Sequence, residues 1–156
     1  MAPEMTVRGN IEKDPPERCN CARIRRAARN VTRFYDVCLA PAGVTAGQFT
    51  LLGYLKHRGP MRMGQLAELL GMDRATLGHN LRPLERDGLL HIVQNKDDRR
   101  ARVVEITVAG LTRVKKGRPL WDQAQHTFER ALGRSKAADM RRMINAAAEV
   151  RLTIPS

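Results

Sequence analysis

Residues 63–90, MGQLAELLGMDRATLGHNLRPLERDGLL, constrain the fold more than any other stretch of this chain. Ala67 is followed four positions later by Gly71 and six positions after that by Leu77. Two helices joined by a tight turn need a small residue where they cross, a turn residue that tolerates positive φ, and an apolar anchor on the second helix. The spacing predicts a helix-turn-helix over about residues 63–70 and 73–87, with Asp73 as the N-cap of the second helix.

The second predicted helix carries polar side chains that a protein core cannot use. These are Arg74, Thr76, His79, Asn80 and Arg82. The major groove of DNA admits a helix, and side chains of these types can reach base edges and phosphates there. An ordinary helical hairpin with a solvated face would show the same pattern, so this stretch alone leaves both interpretations open.

The residues after Gly88 favour the nucleic-acid interpretation. Two runs rich in Val and Ile, LLHIVQ at 89–94 and ARVVEIT at 101–107, flank the charged loop NKDDRR and predict a β-hairpin. The loop places Lys96, Arg99 and Arg100 at the tip, which is typical of a wing that contacts a minor groove or phosphates. The formal net charge of +12 also indicates a polyanionic partner.

Helical patterns precede and follow this unit, so the sequence predicts a mainly α fold with a small β-hairpin. Apolar residues at three- and four-residue steps predict helices over about 18–39, 45–58 and 109–132, the second capped by Thr45. Pro119 predicts a kink or a break, and Ser135 is the expected N-cap of a last helix. The polar residues 1–17, which include three prolines, predict a flexible arm.

Other classes of protein find little support in the sequence. It contains no apolar run of membrane-spanning length, no secretory signal, and an odd number of cysteines, three, so we expect a cytoplasmic protein without membrane contact. The four histidines have no metal-ligand spacing, and no phosphate-binding or nucleophile motif occurs. We therefore expect a protein that is not an enzyme and that holds no metal or cofactor.

The chain resembles the MarR family of winged helix-turn-helix transcription regulators over roughly residues 20–150. The resemblance rests on AARNVTRFYD, LAPAGVTAGQFTLLGYL, the stretch 63–90, and DDRRARVVEITVAG. It implies a winged helix-turn-helix domain at 45–108 between dimerisation helices at 18–44 and 109–156. It also implies a homodimer, most commonly a repressor, that binds a pseudo-palindromic operator in double-stranded DNA.

Contact positions follow from the resemblance residue by residue. On the recognition helix they fall on Arg74, Ala75, Thr76, Gly78, His79 and Asn80, and the Asp-x-Arg signature of the wing falls on Asp98 and Arg100. Asp98 is expected to orient a wing arginine, because a bare carboxylate would repel phosphates. Two positions depart from the family: Gly78 replaces a usual Thr or Ser, and His79 a usual Arg. At Gly78, either the DNA approaches the helix backbone closely or the helix contacts fewer bases.

Regulators of this family respond to small aromatic or phenolic ligands or to cysteine oxidation. Candidate ligand-binding residues are Arg23, Arg29, Phe49, Tyr54, His57 and Trp121. Cys21 matches the reactive cysteine of the family's hydroperoxide sensors and lies among arginines, and Cys19 is a candidate resolving thiol. Tyr35 matches one of the sensors' tyrosines, but Arg25 and Ala46 replace two others. Cys21 and Cys38 are alternatively small core residues.

Two further alternatives stay open. The arginines of the first helix either contact the DNA flanks or form a solvated face, the commoner case. The chain as a whole is alternatively an architectural DNA-binding or protein-interaction winged helix, which would show weak sequence preference and no response to an effector.

Overall fold

The structure is a computed structural model that describes residues 18–151; the predicted arm at 1–17 lies outside them. The described part contains six α-helices. They are α1 (Asn20–Leu39), α2 (Ala46–Arg58), α3 (Met63–Leu69), α4 (Arg74–Arg86), α5 (Val108–Leu132) and α6 (Arg134–Glu149). A short 3-10 turn, Ala40–Ala42, links α1 to α2. The predicted helices therefore all form, in the predicted order.

A small antiparallel sheet forms one edge of the domain. Its strands are β1 (Met61–Arg62), β2 (Leu90–Gln94) and β3 (Arg102–Ile106), in the order β1-β3-β2. The predicted hairpin is confirmed, with Ile92 opposite Val104. Strand β1 was missed, because two residues between a proline and a helix show no alternating pattern; it pairs Met61 with Val104.

The core lies between α2, the helix-turn-helix and the sheet, and it is built mainly from leucine. Its fully buried large side chains are Leu39, Leu52, Leu55, Leu66, Leu77, Leu81, Leu84, Leu90 and Val104. Phe49, which is 9% exposed, contributes the only aromatic ring to this buried cluster of the described residues. Phe49, Leu52 and Leu55 of α2 are all buried in it.

Close packing fixes the base of the hairpin against the start of α5. The Thr107 hydroxyl donates to the Gly88 carbonyl at 2.7 Å and accepts from the Gly110 N–H at 3.1 Å. A Cβ at Gly110 would lie 2.1 Å from the Leu89 carbonyl oxygen, so only glycine fits there. The start of α5 is thereby held against the turn that leads from α4 into β2.

The helix ends confirm one expectation and correct another. Thr45 caps α2 in a reciprocal arrangement: its hydroxyl accepts from the Gln48 N–H at 3.3 Å, and Gln48 Oε1 accepts from the Thr45 N–H at 3.0 Å. Ser135 is not an N-cap, because α6 begins one residue earlier and Gly133 ends α5 and starts α6. Pro119 causes no break, since α5 continues through it.

Much apolar surface on the first and last helices is uncovered within one chain. Residues 20–30 of α1 are all exposed, and burial begins only in its second half. Val37 is 68% exposed and Met143 on α6 is 72% exposed. The apolar stripes predicted for these helices are therefore only partly buried by the chain's own core.

Candidate nucleic-acid interface

The turn between α3 and α4 has the geometry that the sequence spacing predicts. Gly71 has φ of +63°, which suits a residue without Cβ. The Met72 N–H donates to the Ala67 carbonyl at 2.9 Å and closes the end of α3. Ala67 is 3% exposed and Leu77 is fully buried, so the small residue and the apolar anchor lie where the two helices cross.

Asp73 caps the start of α4 and also accepts a hydrogen bond from a neighbouring hydroxyl group. Its carboxylate accepts from the Thr76 N–H at 2.8 Å and from the Thr76 hydroxyl at 2.7 Å. The hydrogen bond from the Thr76 side chain, followed by that from its backbone, lowers the pKa of Asp73. Because Thr76 gives its only hydroxyl proton to Asp73, it can face an outside partner as an acceptor but not as a donor.

The outer face of α4 presents polar groups to solvent. Arg74, His79 and Arg82 are exposed, whereas Asn80 is half-buried and its amide nitrogen lies 3.5 Å from Met72 Sδ. Gly78 lies in the same helix, and a Cβ built on it meets nothing closer than Met63 Cε at 4.0 Å. The protein's own packing therefore does not require a glycine at 78.

The wing is ordered by its own side chains. Asn95 Oδ1 accepts from the N–H groups of Asp97 at 2.9 Å and Asp98 at 3.0 Å. Asp98 Oδ1 in turn accepts from the Arg100 N–H at 3.0 Å. The expected orienting role of Asp98 thus acts on the backbone of Arg100, while Lys96, Arg99 and Arg100 stay exposed.

A groove of about 870 Å³ lies between the helix-turn-helix and the wing. Its charged lining residues are Arg62, Glu68, Asp73, Arg74, Asp98, Arg100 and Arg102. Sequence reasoning missed Arg62 and Arg102, because Arg62 lies in the unpredicted strand β1 and Arg102 occupies an ordinary position in a predicted strand. Lys96 and Arg99 do not line this groove, so the wing presents two separate sets of cations.

Four of the six candidate ligand-binding residues line one cavity between α2 and α5. This cavity of about 340 Å³ is bordered by Phe49, Tyr54, His57 and Trp121. Arg118, which sequence reasoning missed, also borders it; its guanidinium lies 5.3 Å from the Trp121 ring centre and its Nε donates to Asp122 at 3.0 Å. The remaining candidates, Arg23 and Arg29, lie apart from it along α1.

The three cysteines lie at opposite ends of α1 and differ in exposure. Cys19 and Cys21 are exposed at the start of α1, where Cys19 is the N-cap and its Sγ lies 3.4 Å from the Ala22 N–H. Cys38 is half-buried near the other end of α1. The interpretation of Cys21 as a core residue is therefore wrong within one chain.

Comparison with known proteins decides the family. The family model of the MarR family matches residues 44–101. The solved structure of the M. tuberculosis transcriptional regulator MosR in complex with DNA is 33% identical, with a TM-score of 0.74 over 86% of this chain and 99% of MosR. The chain belongs to the MarR family of transcription regulators. As a member of that family it is a regulator and not an enzyme, and its fold is the winged helix.

More distant structures share the fold of this MarR-family protein. A mutant MarR from E. coli complexed with operator DNA is 20% identical, with a TM-score of 0.72 over 80% of this chain and 89% of the other. PcaV from Streptomyces coelicolor, in complex with its natural ligand, is also 20% identical, with a TM-score of 0.75 over 96% of this chain and 99% of PcaV. No curated protein matches the sequence at a significant level.

Residues 18–151 contain neither a membrane-spanning helix nor a cluster of metal-binding side chains. No helix there is both long and apolar enough to cross a membrane. Within the same range, histidine, cysteine, aspartate and glutamate side chains form no group of three or more that could hold a metal ion.

Proposed function

We propose that this MarR-family protein is a cytoplasmic repressor that binds a pseudo-palindromic operator as a homodimer and releases it in response to an effector. The observation that carries the proposal is the exposed polar face of α4 beside an arginine-bearing wing. Arg74, His79 and Arg82 are exposed on α4 and, with the half-buried Asn80, are available to base edges and phosphates. The DNA complex of MosR, a 33% identical family member, supports DNA as the partner.

The uncovered apolar side chains of the terminal helices support a dimer. They are Ile24 and Val37 on α1, Met143 and Ile144 on α6, and Val150 just beyond it, each more than half exposed. Large exposed apolar side chains on the first and last helices are a costly surface for a monomer in water and a suitable one for a second copy. A twofold axis between two such chains would present two α4 helices to two half-sites about one DNA turn apart.

The cavity between α2 and α5 supports release by a small aromatic or phenolic ligand. Phe49, Tyr54 and Trp121 offer ring faces, and His57 offers a polar group. Arg118 would select a carboxylate, because its Nη groups remain as donors after its Nε pairs with Asp122. Arg118 is thus the arginine proposed at this cavity, in place of the candidates Arg23 and Arg29.

Exposure of Cys19 and Cys21 supports oxidation as a second trigger. Both thiols lie at the start of α1 in a surface that contains several arginines, and a solvent-accessible cysteine can react with a peroxide. Cys19 lies outside the helix in extended backbone while Cys21 lies in its first turn. Cys19 is the candidate resolving thiol, and we favour a bond between subunits, because a direct bond between Cys19 and Cys21 of one chain would be strained.

The test is DNA binding to the promoter region that flanks the protein's own gene. Affinity is measured with reduced protein, then after cumene hydroperoxide, then with salicylate. Loss only with peroxide, abolished by Cys21→Ser, would identify oxidation as the trigger. Loss of DNA binding only with salicylate, with a smaller loss in Arg118→Gln, would identify the cavity between α2 and α5 as the effector site. The absence of specific DNA binding in every condition would refute the repressor function and favour the architectural alternative.

A further inference from the structure

The groove between the helix-turn-helix and the wing has four guanidinium groups on its walls. Arg62 comes from the junction of β1 and α3, Arg74 from the first turn of α4, Arg100 from the wing, and Arg102 from β3. Four separate elements of the fold thus bring arginine to one groove of about 870 Å³. All four residues are exposed.

These cations are not neutralised by ion pairs within the described chain. The salt bridges among residues 18–151 use other basic residues: Arg86, His91, Arg118, Arg141 and Arg142. Three carboxylates also line the groove, but two of them hold local structure. Asp73 binds Thr76, and Asp98 binds the Arg100 backbone. Only Glu68 adds a negative charge without such a role in the described residues.

The neighbouring glycine favours this arrangement of Arg74. A Cβ at Gly64 would lie 3.1 Å from Arg74 Nη2, so a larger residue there would push the guanidinium away. Gly64 itself lies on the groove wall at the start of α3. The absence of a side chain at 64 therefore leaves Arg74 room to lie across α3.

The shape of B-DNA indicates what the groove holds. A recognition helix in a major groove and a wing in the adjacent minor groove lie on opposite sides of one sugar–phosphate strand, because that strand separates the two grooves. The strand must then pass between α4 and the wing. Guanidinium groups bind phosphate oxygens with paired hydrogen bonds, so four arginines suit this occupant.

We propose that this groove holds one sugar–phosphate strand, with Arg62 and Arg102 as phosphate contacts beside Arg74 and Arg100. The inference rests on the DNA-binding function proposed above and refines it. In this proposal Arg74 contacts the DNA backbone rather than a base. Arg100 acts with the arginines of the groove rather than with Lys96 and Arg99 at the tip of the wing. The four arginines then set affinity and salt dependence, whereas sequence preference comes from the rest of α4.

The experiment is a salt titration of DNA affinity with the full chain and the double variant Arg62→Gln/Arg102→Gln. Two duplexes are used: one selected by the wild type from a randomised pool, and a scrambled version of the same composition. Both substitutions leave the backbone hydrogen bonds of α3 and β3 in place. The matched control, Arg130→Gln/Arg134→Gln, removes the same charge from exposed residues of α5 and α6.

We expect the slope of log affinity against log salt to become shallower by about 0.9 for each lost contact, so by about 3.6 for a homodimer of the double variant, which loses two contacts in each protomer. The loss should be equal on both duplexes, and the control should keep the wild-type slope. An unchanged slope, or a loss confined to the selected duplex, would overturn the proposal. If the wild type selects no sequence, the repressor function fails, and the slope on the scrambled duplex still tests the groove.

Discussion

Replacing Gly78 with alanine should stabilise the protein and weaken its DNA binding in the same variant. Glycine in a helix interior costs about 1 kcal/mol relative to alanine. A Cβ at this position meets nothing closer than Met63 Cε at 4.0 Å, which is an ordinary van der Waals contact. No steric penalty offsets the gain, so the free energy of unfolding should rise by about 1 kcal/mol.

The expected loss of DNA affinity follows from the position of Gly78 on α4. It lies one turn from Arg74 and one turn from Arg82, both of which are exposed on the proposed contact face. If DNA approaches the helix backbone there, an added methyl group overpacks the interface at a cost of about 1–3 kcal/mol. This corresponds to roughly a fivefold to 150-fold weaker affinity at each half-site.

Urea denaturation and fluorescence anisotropy with labelled duplex measure the two effects. Gly53→Ala in the middle of α2 is the control, because a Cβ there also meets nothing within 4 Å and α2 lies outside the proposed interface. It should gain similar stability and, without effector, bind DNA as the wild type does. A Gly78→Ala variant with unchanged affinity would refute the close approach, and one with lower stability would refute the packing argument.

Three further substitutions test other parts of the structure. Gly117→Ala should destabilise the fold by about 1–3 kcal/mol, because its Cβ would lie 2.7 Å from the Phe49 ring; unchanged stability in urea would contradict this. Asp73 has a lowered pKa, so its stabilisation of the fold is present above its unfolded pKa and lost as pH falls through the folded one. Asp73→Asn should therefore reduce the acid-induced loss of stability in urea melts compared at neutral and acid pH; an unchanged pH dependence would contradict the role of Thr76. Asn80→Ala should relax base preference in a selection from random DNA, and an equal loss on all sequences would indicate a phosphate contact instead.

The sequence predicted the helix-turn-helix well because local chemistry determines it. Gly71 adopts positive φ and Asp73 caps α4, and both effects depend only on neighbouring residues. The hairpin could be predicted equally well, since the runs at 89–94 and 101–107 are rich in Val and Ile and flank the charged loop NKDDRR. Ser135 failed as a cap because Gly133, with φ of +94°, already reverses the chain between α5 and α6.

Residues assembled by tertiary structure could not be found from the sequence. Arg62 depends on the pairing of a two-residue strand, and Arg102 on the approach of β3 to α3. Arg118 joins Trp121 at the cavity only because α5 continues past Pro119 and packs on α2. Arginine is common in this chain, and each of these three arginines belongs to a site only through residues that are distant along the chain.

Hydroxyl-radical footprinting on the promoter region of the protein's own gene tests the central claim most directly. A homodimer that places two α4 helices in DNA should protect two patches, centred about one helical turn apart and related by twofold symmetry. Each patch should weaken in Arg62→Gln/Arg102→Gln without moving. A single unsymmetrical patch, or uniform protection along the duplex, would contradict binding by a symmetric pair of winged helices.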